Sequence, residues 1–250
     1  MIASRQIQTW QDSRSLFQHA VDVTSGNHVA HTGLGVALSE QGHMAEAEAN
    51  YREAIRLQPE YHEAHAGLGD VLLAAGRVDQ AIVELELALQ GNPAAPEARI
   101  NLGIAYSLQG KPDKAIVELK DATGRRPDSA DAHYNLGRVY AEVSSFDEAA
   151  AEFRQAVGLQ PDNPEAHYNL GAALASKGDM AAAIDEFRRA VQLRPEYAGA
   201  HNNLGSALAA LGRIDEAIAE FAEAVRLAPD SPELRRNLEY ARSLKNRKQE

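Results

Sequence analysis

Cysteine is absent from the 250-residue chain. That removes disulfides, thiolate metal sites and a cysteine nucleophile together, without assigning a compartment. Aromatic residues make up only 6 % of the chain, and tryptophan occurs once, as Trp10. Long apolar runs are missing too. No stretch approaches the ~20 apolar residues of a membrane span, and Met1 to Gln6 lack the apolar core of a signal peptide. No phosphate-binding loop, dinucleotide fingerprint, HExxH pair or nucleophile elbow occurs. Positive charge is scarce: the net charge is −11, and the six basic and three acidic side chains of residues 232–250 leave the rest at −14. An acidic body argues against a nucleic-acid partner, which needs a basic surface to neutralise phosphates. The basic run from Arg242 to Lys248 suits the negative end of a helix.

What the chain has in abundance is repetition. A Leu-Gly pair recurs at Leu34-Gly35, Leu68-Gly69, Leu102-Gly103, Leu136-Gly137, Leu170-Gly171 and Leu204-Gly205, at an unbroken period of 34 residues. Six units follow: 28–61, 62–95, 96–129, 130–163, 164–197 and 198–231. Counted within a unit, position 20 is always Ala (Ala47 to Ala217) and position 27 is always Ala (Ala54 to Ala224). Position 24 is Tyr51, Leu85, Leu119, Phe153, Phe187 or Phe221, and position 32 is always Pro.

This spacing predicts two antiparallel helices per unit, each with one apolar face. A Gly inside a helix costs about 1 kcal/mol relative to Ala, so six at position 8 imply close helix packing. Position 15 is Gly in five units and Ser144 in the other, at the expected turn between helices. Asn163-Pro164-Glu165 and Ser231-Pro232-Glu233 read as helix starts. Residues 1–27 hold a tail and a half-unit helix, with Trp10, Phe17 and Ala20 at positions 17, 24 and 27. Residues 232–250 form a capping helix and basic tail, in which Glu239 stands where full units have Gly.

The pattern of Asn135-Leu136-Gly137, Tyr140, Ala149, Phe153, Ala156 and Pro161 resembles the tetratricopeptide repeat (TPR). The resemblance covers residues 8–246. It implies an all-α fold, a right-handed α-solenoid whose concave groove is lined by the first helix of each pair. A narrower resemblance lies in Trp10-Gln11-Asp12-Ser13, Leu16 to Ala20, Asn27 and Ala30-His31. It is similar to the junction where TPR-carrying membrane mannosyltransferases enter their repeats. It implies an extracytoplasmic accessory domain that presents acceptor proteins.

His31, His65, His133, His167 and His201 share position 4. Neighbouring units should hold them roughly 8–10 Å apart, whereas metal ligands lie about 2 Å from one ion. They are therefore expected to be packing residues, and no metal or cofactor is expected. Acids such as Asp147-Glu148 and Asp215-Glu216 begin second helices, where they suit the helix dipole.

Position 6 is the candidate binding column: Gly33 and Gly67, then Asn101, Asn135, Asn169, Asn203 and, in the capping helix, Asn237. Asn is a poor residue inside a helix. The resemblance puts this column on the concave wall, and the TPR array of O-linked N-acetylglucosamine transferase carries a similar Asn ladder for peptide backbone. An amide offers both a donor and an acceptor to a peptide unit. The competing reading is that these Asn bond only within the array. Neighbouring positions would supply selectivity: Asp70, Leu73, Ile100 and Ile104 on a more apolar first half, Tyr134, Tyr168 and Arg138 on a polar second half. No unit has Lys at position 5, which excludes the carboxylate clamp by which other TPR domains hold chaperone C-termini. The expectation is a non-catalytic, soluble scaffold, cytoplasmic or periplasmic, whose partner is a protein or peptide. Accessory service to a glycosyltransferase and weak self-association are the alternatives.

Overall fold

The computed structural model describes residues 13–247, which hold fourteen α-helices and no strand. The chain divides into two compact units, Met1–Pro127 and Asp128–Glu250. The 34-residue ruler gives no hint of a division there. Described helices of the first unit are α1 (Ser13–Val23), α2 (His28–Glu40), α3 (Met44–Leu57), α4 (His62–Ala74), α5 (Val78–Gly91), α6 (Pro96–Leu108) and α7 (Pro112–Arg125). The second unit has α8 (Ala130–Glu142), α9 (Phe146–Leu159), α10 (Pro164–Ser176), α11 (Met180–Leu193), α12 (Ala198–Ala210), α13 (Ile214–Leu227) and α14 (Pro232–Arg247). Trp10 lies outside the described residues.

Each repeat is a helix pair, such as α4 with α5 or α10 with α11, closed by its small residues. The position-20 and position-27 alanines are buried in every repeat. At position 8 a methyl group would collide with the position-24 side chain of the same repeat. It would lie 2.6 Å from Leu85 at Gly69, 2.9 Å from Phe153 at Gly137 and 2.8 Å from Phe187 at Gly171. The glycine column is therefore set by contact between helices. The turn column follows another rule. Gly42, Gly76, Gly110, Gly178 and Gly212 all have positive φ, and Ser144 adopts φ 60° in their place, a conformation costly for a side-chain-bearing residue.

At the two helix starts read from the sequence, the Asn163 side chain accepts from the Ala166 N–H at 3.0 Å and Ser231 from the Leu234 N–H at 3.4 Å, satisfying N–H groups that a helix leaves open. Within each unit, first helices of neighbouring repeats approach one another (α2 with α4, α4 with α6, α8 with α10, α10 with α12, α12 with α14), while second helices do not. First helices thus line the inner side of each stack.

The first and last described helices differ. In α14, Arg235, Glu239, Arg242 and Asn246 are all exposed. They recur at helical spacing where full repeats carry the position-4, position-8, position-11 and position-15 residues. This stripe is polar and exposed. α1 has no buried residue; Leu16, Phe17, Ala20 and Val21 are only half-buried.

Candidate functional site

The inner side of the second unit is crossed by polar rungs. The Asn169 amide on α10 donates to the Tyr134 hydroxyl on α8 at 2.9 Å, and Asn203 on α12 donates to the Tyr168 hydroxyl on α10 at 3.0 Å. Asn237 on α14 donates to the Asn202 side-chain oxygen on α12 at 2.8 Å. Each rung joins position 6 of one first helix to position 5 of the one before. Asn135 instead donates to the Asp131 carbonyl of its own helix at 2.8 Å, and accepts from Arg138 at 3.3 Å. All of these Asn are half-buried. One amide edge is held, while the oxygens of Asn169 and Asn237 accept nothing from the described residues. The Asn column is thus braced within the array and still presents polar groups on the inner side.

The tyrosines are packed as well as bonded. Tyr134 lies 5.8 Å from the Phe153 ring, and Tyr168 lies 5.9 Å from Phe187 and 4.9 Å from Tyr197. Burial raises Tyr134 above the ordinary tyrosine range and Tyr197 to about 12, where Tyr168 and Glu165 add to the rise. Both hydroxyls stay protonated at neutral pH, so Tyr134 serves as a neutral rung.

The first unit is built otherwise. Position 5 before Asn101 is Ala66, which has no polar side chain. Asn101 on α6 reaches instead to position 9, donating to Asp70 Oδ1 on α4 at 2.6 Å. Asp70 itself is exposed to solvent, with α6 lying close on one side. Desolvation pushes its carboxyl up to about 6, opposed by the Asn101 bond and reinforced by Glu97. Leu73 and Ile104 are half-buried and Val36 is exposed. Ile100 is a correction to the expected wall: at 8 % exposure it belongs to the core, because position 5 there turns between helices instead of onto the groove.

Gly33 and Gly67 have a cause that columns taken singly do not show. A methyl group at Gly67 would meet the Tyr51 ring at 2.4 Å, and one at Gly33 would meet the Phe17 ring at 2.4 Å. The position-24 ring of one repeat lies across position 6 of the next. Tyr51 is 3 % exposed, and its hydroxyl is pushed up by burial, with Asp70 and Glu40 adding to the shift. At these two positions of the first unit an aromatic ring occupies the space where the ladder side chain stands elsewhere.

The position-4 histidines prove to be bonded bridges. His65, His167 and His201 each present Nδ1 to a second-helix carboxylate (Glu84, Glu186 and Glu220) at 2.6–2.7 Å. Their Nε2 atoms lie 2.8–3.0 Å from the carbonyls of Pro59, Pro161 and Pro195. Arg99 does the same work with Glu118 at 2.6 Å and the Pro93 carbonyl at 2.8 Å, while His31 meets Asn50 at 3.0 Å. Among the described residues, no group of three His, Cys, Asp or Glu comes together to hold a metal ion. No described helix is long and apolar enough to cross a membrane.

One groove-facing candidate was missed from sequence. Tyr240 on α14 occupies position 9 and is 63 % exposed. Extending the ruler into the capping helix would have found it.

Comparison with known proteins follows this geometry. One tetratricopeptide repeat model matches residues 32–99 and 140–198, and a second matches 72–134 and 174–238. The Cut9 and Hcn1 hetero-tetramer of the APC/C contains a similar fold at 19 % identity and TM-score 0.74, covering 90 % of this chain and 45 % of that one. Pseudomonas aeruginosa PilF is similar at 20 % identity and TM-score 0.74, covering 84 % and 95 %. YrrB, described as a TPR protein with an unusual peptide-binding site, is 22 % identical with TM-score 0.61, covering 74 % and 95 %. No curated protein matches the chain, so the resemblance of residues 10–31 to a mannosyltransferase junction has no support. The repeat models each span half of the sequence, and their helix pairs are the ones described above: the chain belongs to the tetratricopeptide repeat family.

Proposed function

We propose that the chain is a non-catalytic scaffold that binds an extended peptide or disordered segment along the inner side of its first helices. The observation that carries this reading is the row of half-buried Asn amides at position 6. In Asn169 and Asn237 the oxygen and one N–H are left for a ligand after the rung has formed. An amide of this kind pairs with backbone whatever the sequence of the partner. The rungs favour binding because they fix the amides in advance, which lowers the ordering cost on association. The peptide-binding site ascribed to YrrB shows that a TPR protein of related fold can take a peptide. Neither presentation of acceptors to a glycosyltransferase nor self-association has an observation in its favour.

The test is the joint substitution Asn135→Ala and Asn169→Ala. Peptides selected on the wild type should bind the variant about tenfold more weakly, the order expected for lost hydrogen bonds in a part-buried site. Unchanged affinity in a variant with intact helical content contradicts the reading.

A further inference from the structure

We propose that Asp70 sets partner choice in the first unit, where the groove takes a lysine or arginine side chain flanked by aliphatic residues. This rests on the groove being the peptide site and names the chemistry it selects.

Asp70 has no cation bonded to it among the described residues. Asn101 holds Asp70 Oδ1 at 2.6 Å, and the second carboxylate oxygen accepts nothing from the described residues. The charges that act on Asp70 are unfavourable: Glu97 adds to the effect of burial, and only the neutral Asn101 amide opposes it. Two carboxylates elsewhere show the contrast. Glu48 is bonded by Arg77 and Arg52, and Glu165 by Arg194. A ligand cation would supply the missing partner at Asp70, through a charge-assisted bond to the free carboxylate oxygen.

Shape points the same way. Val36, Leu73 and Ile104 lie at positions 9 and 12 of three successive first helices and can sheath the aliphatic stem of a lysine, leaving its head at the carboxylate. Gly67, one helical turn before Asp70, carries no side chain to block the approach, since the Tyr51 ring fills the floor beneath it. The remaining position-9 residues, Arg138, Ala172, Ser206 and Tyr240, offer no acid, so the preference is confined to the first unit.

The experiment selects random 12-residue peptides displayed on phage against wild type, Asp70→Asn, Asp70→Ser, Asp215→Asn and the Asn135→Ala, Asn169→Ala variant. Asp70→Asn keeps an acceptor for Asn101; Asp70→Ser is the second route if it fails to fold. Asp215→Asn makes the same change of charge on a second helix. The expected result is enrichment of Lys or Arg between aliphatic residues on wild type and Asp215→Asn, lost on both Asp70 variants. A fluorescent copy of the most enriched peptide should bind Asp70→Asn about tenfold more weakly than wild type, while its norleucine analogue binds both alike. Enrichment without Lys or Arg overturns the inference alone, as does equal loss on Asp215→Asn, which would mark general attraction to an acidic protein. Failure of every peptide to enrich on wild type overturns the groove reading itself, and this inference with it.

Discussion

The two units share one packing scheme and differ on their inner sides. In the second, position-6 Asn side chains reach position 5 of the preceding first helix and form neutral rungs with Tyr134, Tyr168 and Asn202. In the first, Tyr51 lies across Gly67, Phe17 lies across Gly33, and the one rung runs from Asn101 to an ionisable partner, Asp70. The contrast shows that a repeat's inner surface is set by pairs of positions in successive repeats. Phe17 and Tyr51 lie over a Gly at position 6, whereas Phe153 and Phe187 leave room there for Asn169 and Asn203. An acceptor at position 5 determines where an Asn points.

The largest expected effect comes from forcing one unit to imitate the other. Gly67→Asn would place a side chain into the Tyr51 ring, and overpacking of this sort costs about 1–3 kcal/mol. Adding Tyr51→Leu, which copies the Leu85 before Asn101, should recover much of that loss. Chemical denaturation of the three variants checks it; a double variant no more stable than Gly67→Asn would show that the ring is not the obstacle.

A second comparison uses what the units share. Double-mutant cycles for His65 with Glu84 and for His167 with Glu186, each to Ala, should give similar coupling of about 1–2 kcal/mol, the range for bonded neighbours. Both pairs have nearly buried rings at 2.6–2.7 Å from their carboxylates. Additive losses in either cycle would remove the bridge from that unit.

Ser144 is the one break in the turn column, and it belongs to the second unit. Ser144→Gly should raise stability by about 1 kcal/mol, by relieving a left-handed backbone, read as an upward shift in melting temperature. A neutral or destabilising result would show that the serine side chain compensates for its φ.

The smallest effect separates the charged rung from the neutral ones. Asp70 is raised in the folded chain above its ordinary value of about 3.9, to about 6. The folded state therefore binds more protons in that window, and the stability gained by protonating Asp70 is lost as pH rises through it. Wild type should fall relative to Asp70→Asn between pH 4 and pH 7 and run parallel to it above. Thermal melts across that range check the sign; curves parallel throughout would contradict it. Variants of Tyr134 should show no such dependence.

Much of this was legible in the sequence. The period gave the helix pairs, the turn glycines and the close packing at position 8, because each is a single column with one physical cause. The inner face was legible only in part. The Asn column marks it, but its bonds depend on residues 31 or 35 positions earlier, and Ile100, whose column suggests wall, is core. The His–Glu bridge was open to the same treatment. Position 23 is Glu wherever position 4 is His65, Arg99, His133, His167 or His201, and Asn50 where it is His31. Such pairing appears only when two columns are compared, as with Tyr51 and Gly67.

The most direct measurement is the response of the side-chain amide resonances of Asn169, Asn203 and Asn237 to a titrated, phage-selected peptide, followed by NMR with the methyl groups of Val83 and Val117 as reporters of the second helices. The expected result is saturable shifts at the Asn amides with the methyl signals unmoved. Shifts at Val83 and Val117 with silent Asn amides would place the partner elsewhere and contradict the groove as the binding site.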